Sequence, residues 1–201
     1  MSDRIEELSR AFERFPGIGP RQAKRFVYHL LSVPPSDRSR LADLLINLGQ
    51  DIRQCTMCMR FSPTNSENLC NQCADSHRDD TLLMLVEKDQ DLAAVERANA
   101  YRGRYFVLGG VLTLSGKGQI RERDLIRVVE ERAKQGLAEI VLALSATSEG
   151  EHTADRVREL LSPLRGPIRL SQLGRGLSTG SELEYSDAET LSGALQNRKE
   201  T

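Results

Sequence analysis

The sequence predicts a multidomain α/β chain. It has a small helical N-terminal part, a four-cysteine metal clamp, an open and mostly parallel sheet flanked by helices, and a short C-terminal segment. Three observations carry this. Apolar residues in the first fifty positions recur at helical spacing, with no alternating strand pattern. All four cysteines stand in two C-x-x-C pairs, Cys55/Cys58 and Cys70/Cys73. From residue 82 onward short apolar runs alternate with helical patterns, the order that builds a parallel sheet.

Composition narrows the function. The chain has 201 residues, 28 Lys plus Arg and 29 Asp plus Glu, for a net charge of −1. A nucleic-acid surface must therefore be local, and one copy should bind weakly. No apolar run approaches the ~20 residues needed to cross a bilayer, so no membrane partner is expected. The first residues do not read as a secretory signal, so reduced cysteines and a cytoplasmic location are expected.

The N-terminal part opens with helical spacing at Ile5, Leu8, Ala11 and Phe12, with Ser2 or Asp3 as N-cap. Phe15-Pro-Gly-Ile-Gly-Pro20 follows, then a second helical pattern at Ala23, Phe26, Val27, Leu30 and Leu31. Pro20 suits a first helical turn, where its missing N–H costs nothing. Gly17 and Gly19 permit a sharp turn and bring backbone to the surface. The amides of Ile18, Gly19 and the following turn, read as free, would form an anion site at a helix N-terminus. Arg21, Lys24 and Arg25 follow at once, and Arg21 and Arg25 share a helix face. This order reads as a helix-hairpin-helix motif, which holds the phosphate backbone of DNA without reading bases. The plainer reading is a Gly-Pro turn beside solvated arginines. Pro34-Pro35 should end the second helix, and Ser36 or Asp37 should cap a third over 38–53, with Leu41, Leu44, Leu45 and Leu48 inward.

The cysteine pairs are separated by eleven residues. Two residues between thiolates let a tight turn aim both sulfurs at one ion, and two such turns complete a tetrahedral shell. Four thiolates leave no open position, so the expected cofactor is one structural zinc. Disulfides fit a reduced compartment poorly, and two matched pairs fit redox chemistry poorly. His77 reads as a surface residue.

Strands are expected over 82–87, 105–110, 140–144 and 167–173, and helices over 92–98, 123–134, 153–161 and 189–195. Gly116-Lys117-Gly118 marks a loop. Glu87 ends the first strand, and Glu149 and Glu151 follow the third. Carboxylates converging at the C-terminal edge of a parallel sheet suit Mg²⁺, while acids at a helix start equally complement its dipole. The glycines between Gly174 and Gly180 lack the Gly-Lys-Ser/Thr ending of a phosphate loop and read as a turn before the last helix, with a subunit-contact role equally open.

The stretches FPGIGPRQAKRF, CTMC…CNQC, LVEKDQDLAAVER, YRGRYFVLGG, TSEGEHTA and GLSTGSELEY resemble, in this order along nearly the whole chain, the RecR family of bacterial recombination mediators. The resemblance implies a helix-hairpin-helix domain over 1–53, a zinc finger over 54–78, a Toprim domain over 79–172 and a subunit-exchange segment over 173–201. It implies a homotetrameric ring around DNA, acting with RecO and RecF to load RecA onto single strands coated by SSB. The family's DNA-contacting basic positions fall on Arg21 and Arg25. Glu87 matches the strand-end glutamate of catalytic Toprim enzymes, and Glu149 and Glu151 stand where their aspartate pair would be. No strand-cutting activity is attributed to the family, whose Toprim region is linked to RecO contact. The tail departs from the family pattern at Ser178 and Ser181. The alternative functions are a Mg²⁺-dependent Toprim nuclease or primase-like enzyme, and a zinc-stapled scaffold that binds only proteins.

Overall fold

A computed structural model describes residues 3–115, 118–164 and 166–198. The expected loop at Gly116 and Lys117 lies outside these residues. The chain forms two compact units that divide after Asp51.

The first unit is helical. Asp3 caps α1 (Arg4–Glu13), its carboxylate accepting from the Ile5 amide, and α2 spans Pro20–Ser32 with Gly19 as N-cap. Phe12 stacks edge-on against Phe26 with ring centroids 5.6 Å apart, and Ser9, Ala23 and Val27 are buried between these helices. The third helix, α3, spans Pro35–Asp51 and so starts earlier than the expected 38. Pro35 suits its first turn for the same reason that Pro20 suits that of α2. The Arg38 guanidinium donates to the Leu30 and Val33 carbonyls at 3.0 and 2.6 Å, satisfying the end of α2. The expectation that Leu41, Leu44, Leu45 and Leu48 face inward is corrected: they are 40, 61, 63 and 60% exposed. Helical spacing marks an apolar face, but this small unit has nothing of its own to cover it.

The second unit is built on a four-stranded sheet in the order β4-β3-β5-β6, with every neighbouring pair parallel. Its strands are β3 (Asp79–Val86), β4 (Gly103–Val107), β5 (Glu139–Ala143) and β6 (Arg169–Gln172). A two-stranded antiparallel ribbon, β1 (Arg53–Gln54) with β2 (Phe61–Ser62), and the short helix α4 (Asn71–Ala74) precede it. The strand alternation sorts two cores. Leu83, Leu85, Phe106, Ile140 and Leu142 pack one face against α6 (Glu122–Lys134) and α7 (Ser148–Leu161). Met84, Val86, Tyr105 and Val107 pack the other against Leu92 of α5 (Asp89–Ala98) and the cysteines. The last helix, α8, spans Ala188–Gln196.

Helix α7 begins five residues before the expected 153. The Thr147 hydroxyl accepts from the Gly150 amide and starts it early. Glycine is required there, because a Cβ at Gly150 would stand 2.0 Å from the Ser145 carbonyl oxygen. Leu142, at 1% exposure in the first core, tests that packing. Leu142→Ala is expected to cost about 2–5 kcal/mol of stability, read as a lower urea midpoint for the second unit.

Candidate functional site: a cysteine clamp, a hairpin turn and an acidic sheet edge

The cysteine clamp is made of two turns. In the first, the Met59 amide donates to the Cys55 carbonyl at 3.0 Å, and Met59 takes φ 60° to close the turn. In the second, Cys73 and Ala74 donate to the Cys70 carbonyl at 3.0 and 2.9 Å. The four sulfurs lie within 4.8 Å of one another, with Cys58 and Cys70 Sγ 3.5 Å apart. A tetrahedral zinc with Zn–S near 2.3 Å needs sulfurs about 3.8 Å apart, so the cluster is suited to zinc. The Cys70 amide donates to Cys55 Sγ at 3.4 Å, as structural thiolates accept from backbone. Hydrogen bonding among the sulfurs, first between Cys55 and Cys58, pulls the Cys55 thiol down and pushes the Cys58 thiol up. Cys55, Cys58 and Cys70 are buried and Cys73 half-buried. Among the described residues this is the one group of three or more His, Cys, Asp or Glu arranged to hold an ion.

The clamp meets the β4 edge of the sheet at Val107. The Val107 amide on β4 donates to the Cys58 carbonyl at 2.8 Å. Arg121 donates to the Met59 and Val107 carbonyls at 3.0 and 2.8 Å, and Arg127 of α6 donates to the Thr56 carbonyl at 2.8 Å. His77 is exposed and bonds Asp75 at 3.1 Å, outside the sulfur cluster.

The hairpin turn joins α1 to α2. Gly17 has φ +78°, and neither Gly17 nor Gly19 has an atom within 4 Å of the place a Cβ would occupy, so the turn presents open backbone. One expectation is corrected here: the Ile18 amide is not free but donates to the Phe15 carbonyl at 3.1 Å. That bond tightens the turn and leaves the first turn of α2 to supply any anion-facing amides. Arg21 and Arg25 are exposed, and Arg25 hydrogen-bonds Gln22 at 3.4 Å. Arg21 has no ion-pair partner among the described residues. Lys24 is engaged, its Nζ 2.8 Å from Glu6, whose hydrogen bond raises the lysine pKa.

At the C-terminal edge of the sheet the three acids do not converge into one ligating group. Glu87 is buried, and its Oε1 accepts from both the amide and the hydroxyl of Ser145 at 2.6 Å. Glu149 and Glu151 lie in the first turn of α7, where carboxylates complement the helix dipole. Glu149 is exposed, while Glu151 accepts from Gln172 at 2.9 Å and is ion-paired with Arg175 of the tail. Arg175 also bonds Glu189 on α8 at 3.1 Å. Leu144, Ala146, Gln172, Gly174, Arg175 and Glu189 help to line a cavity of about 490 Å³ beside this pair.

Ser145 and Arg175, the partners of the acids, were not singled out by sequence reasoning, and no spacing rule marks them. Arg104 was missed too, although an arginine inside an apolar strand is a signal, since such charges are buried only when paired. Ser145→Ala removes one of two donors to a buried carboxylate. It is expected to cost about 1–3 kcal/mol, measured as a drop in the denaturant midpoint with unchanged slope.

The comparisons with known proteins agree along the chain. A family model described as "RecR, helix-hairpin-helix" matches residues 5–48, "Toprim domain" matches 81–173, and "RecR, C-terminal" matches 176–199. The recombination protein RecR of Mycobacterium leprae is 38% identical over 199 residues, covering 97% of this chain and 96% of its own. That of Nocardioides sp. is 37% identical over 202 residues, covering 99% and 96%. That of Mycobacterium tuberculosis strain H37Rv is 38% identical over 203 residues, covering 99% and 96%. With similarity spanning the helical unit, the sheet and the tail, the chain belongs to the RecR family of recombination proteins.

Proposed function

We propose that this protein is a sequence-independent DNA clamp and recombination mediator in DNA repair, working with RecO- and RecF-type partners to help load RecA onto SSB-coated single strands at gaps. The observation that carries this is the hairpin turn. Gly17 and Gly19 leave backbone open at the N-terminus of α2, and exposed Arg21 and Arg25 flank it. Open amides and two cations suit phosphates and carry no information about bases. In this reading Gly17, Ile18, Gly19, Arg21, Lys24 and Arg25 form the DNA contact, with Ile18 shaping the turn and Lys24 competing with its Glu6 pairing.

A net charge of −1 makes one such contact weak, so several must act together. A homotetrameric ring supplies that. Two apolar surfaces favour association with further copies. Ile5, Leu8, Phe12, Leu30, Leu41 and Leu45 help to line a groove of about 320 Å³ in the first unit. In the tail, Leu183, Tyr185 and Leu195 are 64, 80 and 64% exposed. In this reading the parts are a DNA-binding unit over 1–53, a zinc finger over 54–78, a Toprim domain over 79–172 and a subunit-contact segment over 173–201, in the cytoplasm.

The zinc is structural in this proposal, held by Cys55, Cys58, Cys70 and Cys73. The Toprim part is read as a binding surface without catalysis. Glu87 is committed to Ser145 and Glu151 to Arg175, so the carboxylates that Mg²⁺ would need are already engaged. In this reading exposed Glu149, and Glu151 through its pairing with Arg175, form part of the surface that meets a partner protein. Magnesium-dependent cleavage of labelled DNA that Glu87→Gln abolishes would overturn this part and favour a Toprim enzyme.

The Arg21→Ala/Arg25→Ala double variant should weaken DNA binding on every sequence tested. It should also flatten the slope of log K against log salt by about 2, as two phosphate contacts require. Unchanged affinity and slope would reject the hairpin contact. Metal analysis of purified, reduced protein should find one zinc per chain, and its removal should unfold the clamp.

A further inference from the structure

The two turns of the cysteine clamp are supported unequally. The first is tied into its surroundings by backbone: Cys55 donates to the Arg60 carbonyl, Thr56 to the Asn68 carbonyl, and Val107 of β4 to the Cys58 carbonyl. The second rides on α4, four residues long, with no side chain capping its start. The last carbonyls of a helix have no partner within it, and those of Gln72 and Cys73 need donors from elsewhere. One side chain supplies them. Arg104, on β4 and 6% exposed, donates through Nη1 to the Gln72 and Cys73 carbonyls at 2.8 and 3.1 Å. Its Nε donates to Asp80 on β3 at 2.7 Å, which fixes the plane of the guanidinium. Arg132 of α6 approaches the same carboxylate at 3.4 Å.

We propose that Arg104 is a positioning residue for the four-cysteine site: it sets the second turn so that Cys70 and Cys73 face the metal, and it slows metal release. This rests on the zinc reading above. Three acceptors, two on the second turn and one on β3, share a single rigid fork, a task that a lysine ammonium on its flexible stem does not match. Four thiolates around a divalent ion carry a net charge of −2, and a guanidinium bonded to a ligand's own carbonyl offsets part of it. Groups that orient metal ligands in this way commonly contribute ~10–100-fold to metal affinity. The half-buried Cys73 belongs to this weaker turn, so loss begins there.

The test is the rate at which zinc passes from the full-length native protein to a chromophoric chelator. Wild type is compared with Arg104→Met, Arg104→Lys and Asp80→Asn, and with Leu142→Ala as a control for lowered stability. Arg104→Met should release zinc about 10–100-fold faster. Arg104→Lys should remain fast, and Asp80→Asn, which frees the guanidinium to turn, should give a smaller change in the same direction. Leu142→Ala sits in the core on the other face and should release at the wild-type rate. Should Arg104→Met not fold, Asp80→Asn decides, because the Asp80 side chain is half exposed. Wild-type release in Asp80→Asn together with whichever Arg104 variants fold would overturn the proposal while the zinc reading stands. Equal acceleration in Leu142→Ala, or full recovery in Arg104→Lys, would also overturn it. Wild-type protein that carries no zinc would overturn the zinc reading itself.

Discussion

The sheet of the second unit has two apolar faces, and each must be covered. Helices α6 and α7 cover one, closing over Leu83, Leu85, Phe106 and Leu142. The other has only α5, and the rest of its cover comes from Cys55, Cys58 and Cys70 packed with Met84, Val86, Tyr105 and Val107. Burial of the cysteines is thus part of the hydrophobic packing of the sheet. The segment from Arg60 to Asn68 is too polar to make such a layer by its own side chains. Ligation lets a polar, irregular stretch stand where a helix would otherwise be needed. The first cysteine turn also closes the β4 edge at Val107, whose amide would face water without the Cys58 carbonyl.

Charge is managed by pairing close to home. Arg78 bonds Glu96 at 2.5 Å, and Glu96 accepts from the Tyr105 hydroxyl at 2.6 Å. Burial alone would raise the Glu96 pKa, but the bonds from Tyr105 and Arg78 outweigh it and hold the carboxyl below its usual range. Burial, joined by the bond to Glu96, pushes the Tyr105 phenol up. This chain of bonds ties α5 to β4 across the second core. The acidic edge follows the same pattern, with Ser145 answering Glu87 and Arg175 answering Glu151. Glu87 and Glu151 are thus held by neutral and cationic side chains, and with Glu149 they do not gather into one ligating group.

Much of this was legible beforehand, and the reason is periodicity. The alternating runs placed all four parallel strands, and the C-x-x-C spacing marked the four sulfurs that the structure brings together. What escaped is what pattern does not encode. The β1–β2 ribbon is two residues per strand, too short to show an alternation. The early start of α7 depends on Thr147 meeting the Gly150 amide, and on the space that Gly150 leaves beside Ser145. The outward leucines of α3 were misplaced because helical spacing reports an apolar face and not what covers it. The partners of Glu87 and Glu151 lie 58 and 24 residues away in sequence, beyond any local rule.

An apolar face that is exposed on α3 and an apolar tail at Leu183, Tyr185 and Leu195 mean that neither unit buries its own surface fully. Scattered exposed leucines need no explanation, but contiguous ones on a helix face favour a partner. Two apolar faces on one chain fit the proposed ring of identical subunits, in which each copy contacts two neighbours. A ring also answers the electrostatic problem set by the composition. In the proposed ring the few cations beside the Gly17–Gly19 turn of each near-neutral copy act together, and closure raises their effective concentration around one duplex. In the proposed clamp, weak contacts that read no bases would let the ring stay on DNA and still move along it.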